Sequence, residues 1–178
     1  MSDLIHIYLD TEFTDGDIDE ASNLLSIGFV AELTDDELYI EITDRDPQCR
    51  PSVFVREVVL PLFGRHHPER LTRGEAALRI AQWLDELRGG DCTTDITLVS
   101  DSAFDWIYLL NLWDSIAGQP SWVAPRNIRG LLVQSILMPY QIDVFFDLVN
   151  QYHEEHQEQH HALVDARALK VAMGRVGW

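Results

Sequence analysis

The stretch Leu9-Asp10-Thr11-Glu12-Phe13-Thr14 sets two carboxylates two residues apart at the end of an apolar run. In an extended chain alternate side chains share a face, so Asp10 and Glu12 project together, about 7 Å apart along the backbone. Carboxylates that close at the tip of a buried strand repel unless a cation or a proton lies between them, which makes the pattern a metal-site pattern. A solvated loop start has the same spelling. Asp105 is a third carboxylate, flanked by Phe104 and Trp106 in the first turn of a helix that follows a later apolar run. Its backbone would be anchored there while its side chain meets a sheet end, or it simply complements the helix dipole. Asp101 is a candidate N-cap of the same helix. Lastly, Gln159-His160-His161-Ala162-Leu163-Val164-Asp165 sets histidine before a helix and aspartate early in it. An aspartate rigid on a helix suits a metal ligand, and a histidine on a wet edge suits a general base near neutral pH. An ordinary helix N-terminus with two solvent histidines would read alike.

These residues need a framework, and hydrophobic periodicity supplies one. Leu4 to Leu9 is apolar on both faces and too short for a good helix, so it reads as a buried central strand. Leu24 to Leu33 reads as a second strand and Glu37 to Ile42, alternating polar and apolar, as a half-exposed third. A polar, acidic loop from Thr14 to Ala21 links the first two. Residues 46 to 70 hold a cluster of prolines and read as irregular. Thr72 with Glu75 forms a capping box for a helix that Gly89-Gly90 ends. Ile96 to Ser100 is another strand, followed by a helix from Ala103 to Ala117, a proline-interrupted loop and a short apolar stretch at Leu131 to Leu137. Helices from about Asp143, with Val144, Leu148, Val149 and Tyr152 on one face, and from Ala162 to Gly174 complete the chain. The order predicts one α/β domain over residues 1–178, with a mixed sheet whose first two connections are hairpin-like.

Composition narrows the function. The chain has 178 residues, 46% hydrophobic, with 30 Asp and Glu against 13 Lys and Arg for a net charge of -17. That size and apolar content suit one core and exclude disorder and repeat arrays. The first fifty residues carry 14 acids and two arginines. So acidic a chain cannot hold long nucleic acid or an anionic membrane by diffuse electrostatics, which needs many cationic side chains. Lys170 is the only lysine. Cys49 and Cys92 are isolated, no apolar run approaches the roughly 20 residues of a spanning helix, and the N-terminus lacks a basic leader. A cytoplasmic setting is expected.

In order and spacing, D-x-E at Asp10 and Glu12, F-D at Phe104 and Asp105, and H-x-A-x-x-D at His160 to Asp165 resemble the three exonuclease motifs of the DEDD superfamily, in its DEDDh branch. The resemblance spans nearly the whole chain. It implies a ribonuclease H-like fold with a central mixed five-stranded sheet flanked by helices. The stretches DTEF, LLSIGFVAE, FDWIYLLNLW and HHALVDARAL look like the small bacterial exoribonucleases first described in mycobacteria and linked to adenylate-containing RNA; an oligoribonuclease would read closer to D-L-E-M-T-G after the first strand. The implied activity is 3′ to 5′ hydrolysis of single-stranded RNA ends or short oligoribonucleotides to nucleoside 5′-monophosphates. Alternatives are an oligoribonuclease, a single-stranded DNA exonuclease, or a silent nucleotide-binding module on the same fold.

The resemblance further implies that Asp10, Glu12, Asp105 and Asp165 ligate two divalent cations, Mg²⁺ or Mn²⁺, that clamp the scissile phosphate. It implies His160, five residues before Asp165, as general base rather than the adjacent His161. Asp101 stands where many relatives carry Asn, and its role is open. Phe13, with Thr14 beside it, and Phe104 are candidate surfaces for the terminal base or else core aromatics. Arg126, Arg129 and the Arg65 to Arg73 cluster with His66 and His67 are candidate phosphate contacts or a solvated surface. Relatives acting on RNA ends are often homodimers, so a homodimer is expected. The run His153 to His160 does not spell H-E-x-x-H: His153 has the following Glu154 but its partner three residues on, and His156 and His160 have Gln157 between them. It reads as a solvated helix face.

Overall fold

The chain was analysed as a computed structural model, which describes residues 4–14, 23–34, 36–45, 50–91, 93–116 and 126–178. The acidic link at 15–22, much of the proline-interrupted loop (117–125) and both cysteines lie outside the described residues. Strand β1 (Ile5–Phe13) runs four residues beyond its apolar core, so Asp10 and Glu12 lie inside a strand rather than after it. It pairs antiparallel with β2 (Leu24–Ala31), which pairs antiparallel with β3 (Glu37–Ile42). β5 (Ile96–Ser100) runs parallel to β1 on its other side.

The sheet has six strands rather than five, in the order β4-β3-β2-β1-β5-β6. β4 (Glu69–Leu71) is a three-residue edge strand inside the stretch read as irregular, too short to show periodicity. β6 (Ile128–Leu132) forms the opposite edge, ahead of the apolar stretch, whose remainder turns into the short helix α3 (Val133–Ile136). The irregular stretch also holds a π-helical turn (Val55–Val59) and a 3₁₀ turn (Leu60–Leu62).

Helix α1 (Arg73–Leu87) has the expected capping box: Thr72 accepts from the Glu75 backbone while the Glu75 carboxylate accepts from the Thr72 backbone at 2.8 Å. It packs with α2 (Ala103–Asp114) against Ile7, Leu9, Ile27 and Phe29 on one sheet face. On the other face, α4 (Pro139–His156) and α5 (Ala162–Val176) cover Tyr8 and Val99. β1 is thus buried on both sides, as its uninterrupted apolar run requires. α4 begins four residues earlier than expected because Pro139 occupies the first turn, where its missing N–H costs nothing. Its buried stripe is Phe145, Val149 and His153, and Val144 is exposed.

One glycine sets the height of α5 above the sheet. Gly28 pairs with Asp10 across β1 and β2, and a Cβ on it would lie 2.5 Å from the backbone of Ala162 and Leu163. Only a bare backbone on β2 lets the start of α5 descend so close to the sheet beside Asp10.

Candidate functional site

Because β1 and β5 are parallel, their C-terminal ends share one sheet edge, and the turn after β5 delivers α2 to the end of β1. Even-numbered side chains of β1 face α5, so Tyr8, Asp10 and Glu12 point the same way, while Thr11 and Phe13 face α2. Thr11 holds Asp105 there: its backbone N–H and its hydroxyl both donate to Asp105 Oδ1, at 3.1 and 2.7 Å. The N-cap of α2 is Ser102, which accepts from Phe104 N, and not Asp101. Asp101 is thereby left to join the site. From the other face α5 contributes Asp165, whose Oδ2 accepts from the His160 backbone N–H at 3.1 Å.

The ligand atoms of Asp10, Asp101 and Asp105 lie within 4.8 Å of one another, and so do those of Glu12, His160 and Asp165. Every member of the two groups except Asp101 lines one cavity of about 280 Å³. Asp105 Oδ2 and Asp165 Oδ1 are buried without a hydrogen bond, although His153 Nε2 stands 3.5 Å from the latter. At that separation the contact is electrostatic, not a hydrogen bond.

Burial, reinforced by the neighbouring carboxylates, raises Asp10, Glu12, Asp105 and Asp165 well above ordinary carboxylate values. Burial raises Asp101 as well. Among the described residues no arginine or lysine lines the cavity. Such a set of oxygen donors, crowded and missing hydrogen bonds, fits hard divalent cations.

The two histidines separate clearly. His160, in left-handed conformation at φ 69°, borders the acidic cavity, and burial lowers its pKa, so it is neutral and able to accept a proton near pH 7. His161 turns away into the core, 1% exposed, against Tyr39 and His66 with ring centroids 4.5 and 4.9 Å away. Burial pushes it down to about 4, and neither ring nitrogen has a hydrogen-bond partner.

The remaining candidates divide likewise. Phe13 lines the cavity while stacking on Tyr108 at 4.7 Å, and Phe104, 41% exposed, meets it edge-on at 6.0 Å. Thr14 is buried, its backbone and hydroxyl turned to Asn23. Arg126 and Arg129 lie away from the site: Arg129 pairs with Thr97, the neighbour of His6, four residues or about 13 Å of strand from Asp10. The Arg65 to Arg73 cluster is consumed by internal ion pairs, Arg65 with Glu158, Arg70 with Glu41 and Arg73 with Asp44.

Two further residues stand beside the site that the sequence reading did not place there. Phe54, 48% exposed, stands edge-on to His160 at 4.9 Å, in a stretch without periodicity. His153 is buried beside Asp165, not on a solvated face, and its spacing of four from Val149 and eight from Phe145 was the available signal. α4 ends at His156, so His156 and His160 never share a helix, and the run makes no H-E-x-x-H site.

No protein-family model matches the chain, and no curated protein does. Eleven chains of solved structures match it. Among them is S. pombe Pop2p in its Mg²⁺- and Mn²⁺-bound form, with a TM-score of 0.56 at 15% identity over 96% of this chain and 82% of that one. The fold is ribonuclease H-like. The six residues of the two groups gather at the C-terminal end of its central strand.

Proposed function

We propose that the protein is a metal-dependent 3′ to 5′ exoribonuclease that hydrolyses the last phosphodiester of single-stranded RNA or of short oligoribonucleotides, releasing nucleoside 5′-monophosphates. The observation that carries this reading is the convergence of Asp10, Glu12, Asp105 and Asp165 from three elements on one cavity beside His160, with no cationic side chain among the described lining residues. A phosphate can enter so acidic a space only with cations. Asp10, Glu12, Asp105 and Asp165 would hold two of them, Mg²⁺ or Mn²⁺, with Asp101 able to share in the first group; Pop2p, whose fold the chain shares, is described with both metals bound. When bound, the cations supply charge neutralisation of the phosphate and a lowered pKa for water.

His160 receives the proton of the attacking water as its oxygen bonds to phosphorus and the bond to the penultimate 3′ oxygen breaks. Thr11 fixes Asp105 through two hydrogen bonds, and the His160 backbone fixes Asp165. Phe13, Phe54 and Phe104 offer apolar faces for the terminal base. Resemblance of the motifs supports a homodimer acting in the cytoplasm; among the described residues no helix is long and apolar enough to cross a membrane.

The test incubates the protein with 5′-labelled RNA and DNA oligomers in Mg²⁺, Mn²⁺ or EDTA. The expected result is RNA shortened from its 3′ end with metal only. Shortening of DNA alone would move the reading to a DNA exonuclease, activity only on very short RNA would move it to an oligoribonuclease, and absence of any metal-dependent shortening would leave a silent binding module.

A further inference from the structure

Glu158 lies in the short connection between α4 and α5, two residues before His160. That connection is bracketed by two non-glycine residues in left-handed conformation, Gln157 at φ 56° and His160 at φ 69°. Residues persist in that region only where surrounding contacts hold them. On one side the contact is known, since His160 N–H donates to Asp165. On the other side Gln157 caps α4, its N–H donating to His153 O at 2.8 Å, and the next residue is Glu158, whose two oxygens are gripped separately: Arg65 donates to Oε1 at 2.8 Å and His66 Nε2 meets Oε2 at 2.6 Å.

The grip is itself oriented. Arg167 NH1 stands 3.3 Å from His66 Nδ1, and a guanidinium only donates, so Nδ1 accepts and the ring hydrogen sits on Nε2, facing Glu158. Arg167 also donates to Glu37 Oε1 at 2.7 Å. A chain of hydrogen bonds therefore runs from β3 through α5 and the turn after the 3₁₀ segment to the loop that presents His160. His66 and His67 are left-handed as well, at φ 56° and 54°, so both loops of the contact are held in unfavourable backbone. Neither Arg65 nor His66 borders the acidic cavity.

We propose that Glu158, clasped by Arg65 and His66, is a positioning residue that fixes His160 for proton transfer. The proposal rests on His160 being the general base. An interaction of this kind orients a proton acceptor without touching substrate, and misplacing the acceptor by about 1 Å costs on the order of 100-fold in rate.

The experiment measures kcat and KM on 5′-labelled RNA with Mn²⁺ for wild type, Glu158→Ala, Arg65→Ala, Arg65→Lys and His66→Ala, and repeats Glu158→Ala in a His160→Ala background. Glu158→Ala and Arg65→Ala should lower kcat by roughly 10- to 100-fold with KM little changed, and Arg65→Lys should restore most of the loss. In the His160→Ala background, Glu158→Ala should change the residual rate by less than about twofold, because a group acting only through His160 has nothing left to position. A full further loss in that background, or an unchanged kcat in both Glu158→Ala and Arg65→Ala, would overturn the clasp. Should Glu158→Ala unfold, Arg65→Ala decides, since its side chain is 48% exposed and its loss leaves no buried gap. An inactive wild type would overturn the exoribonuclease reading itself and the clasp with it, a result distinct from an active wild type with indifferent variants.

Discussion

Replacing Asp105 with asparagine should stabilise the metal-free protein while abolishing its activity. Asp105 is 2% exposed, and burial, with Asp101 adding to it, pushes its carboxyl from 3.8 up to about 7 despite the hydrogen bonds from Thr11. A folded value above the unfolded one means that the proton is held more tightly in the folded state. The resulting destabilisation is absent below about pH 4, grows as pH rises toward 7 and is complete above it. About three units correspond to about 4 kcal/mol at most. Asparagine keeps an acceptor oxygen for Thr11 and removes the charge, so a gain of about 2 kcal/mol, roughly 4 to 8 °C in unfolding midpoint for a chain of this size, is expected at about pH 8 in EDTA. The difference should shrink as pH falls from about 7 and vanish only below about pH 4, where Asp105 is protonated in the folded and the unfolded state alike. Adding Mn²⁺ at 100 times its Kd should raise the wild-type midpoint by about 2.7 kcal/mol worth of stability and the variant by far less. Thermal unfolding followed by circular dichroism reads all three conditions for both proteins. A lower midpoint for Asp105→Asn in EDTA at the higher pH, or an equal rise of both proteins with metal, would refute the account of a crowded carboxylate site built for cations.

Other substitutions separate the remaining roles. His160→Ala should reduce kcat by about 10² to 10⁴, and the wild-type rate should fall on the acid side only below the ordinary histidine range, since burial lowers the His160 pKa and the neutral ring is the active form; a pH–rate profile checks both. His161→Phe should keep the rate, because that ring packs in the core with no hydrogen bond to lose. Gly28→Ala should destabilise by about 1 to 3 kcal/mol and weaken metal binding as α5 is pushed off the sheet, which denaturant unfolding and Mn²⁺ titration measure together. Phe54→Ala should raise KM by an amount worth about 1 to 3 kcal/mol with less effect on kcat, if the terminal base stacks there.

Periodicity identified the long elements well. β3, the capping box of α1 and the start of α5 fall where hydrophobic spacing and capping chemistry place them, because those signals are local. β4 and the π-helical turn were invisible for the same reason: three or five residues carry no period, and their conformation is imposed by neighbours. Of the face expected for α4, Leu148, Val149 and Tyr152 pack into the core and Val144 does not, because Val144 and Phe145 are both apolar and only packing against Tyr8 decides which faces inward.

The site was legible in its residue types and only partly in its membership. Motif order picked out Asp10, Glu12, Asp105, His160 and Asp165, and the structure brings them together; Arg126 and Arg129 are separated from them by the parallel register of β5 and β6. The negative charge changes meaning in this setting. Linear sequence determined that the chain carries -17 and therefore cannot hold nucleic acid by diffuse attraction. Only the tertiary structure decided that Asp10, Glu12, Asp101, Asp105 and Asp165 lie close enough to need cations, that Arg65, Arg70 and Arg73 are spent on internal carboxylates, and that His160 rather than His161 faces the cavity. Charge is a sum over residues and can be counted, whereas proximity depends on strand register and on a glycine that lets one helix approach one strand.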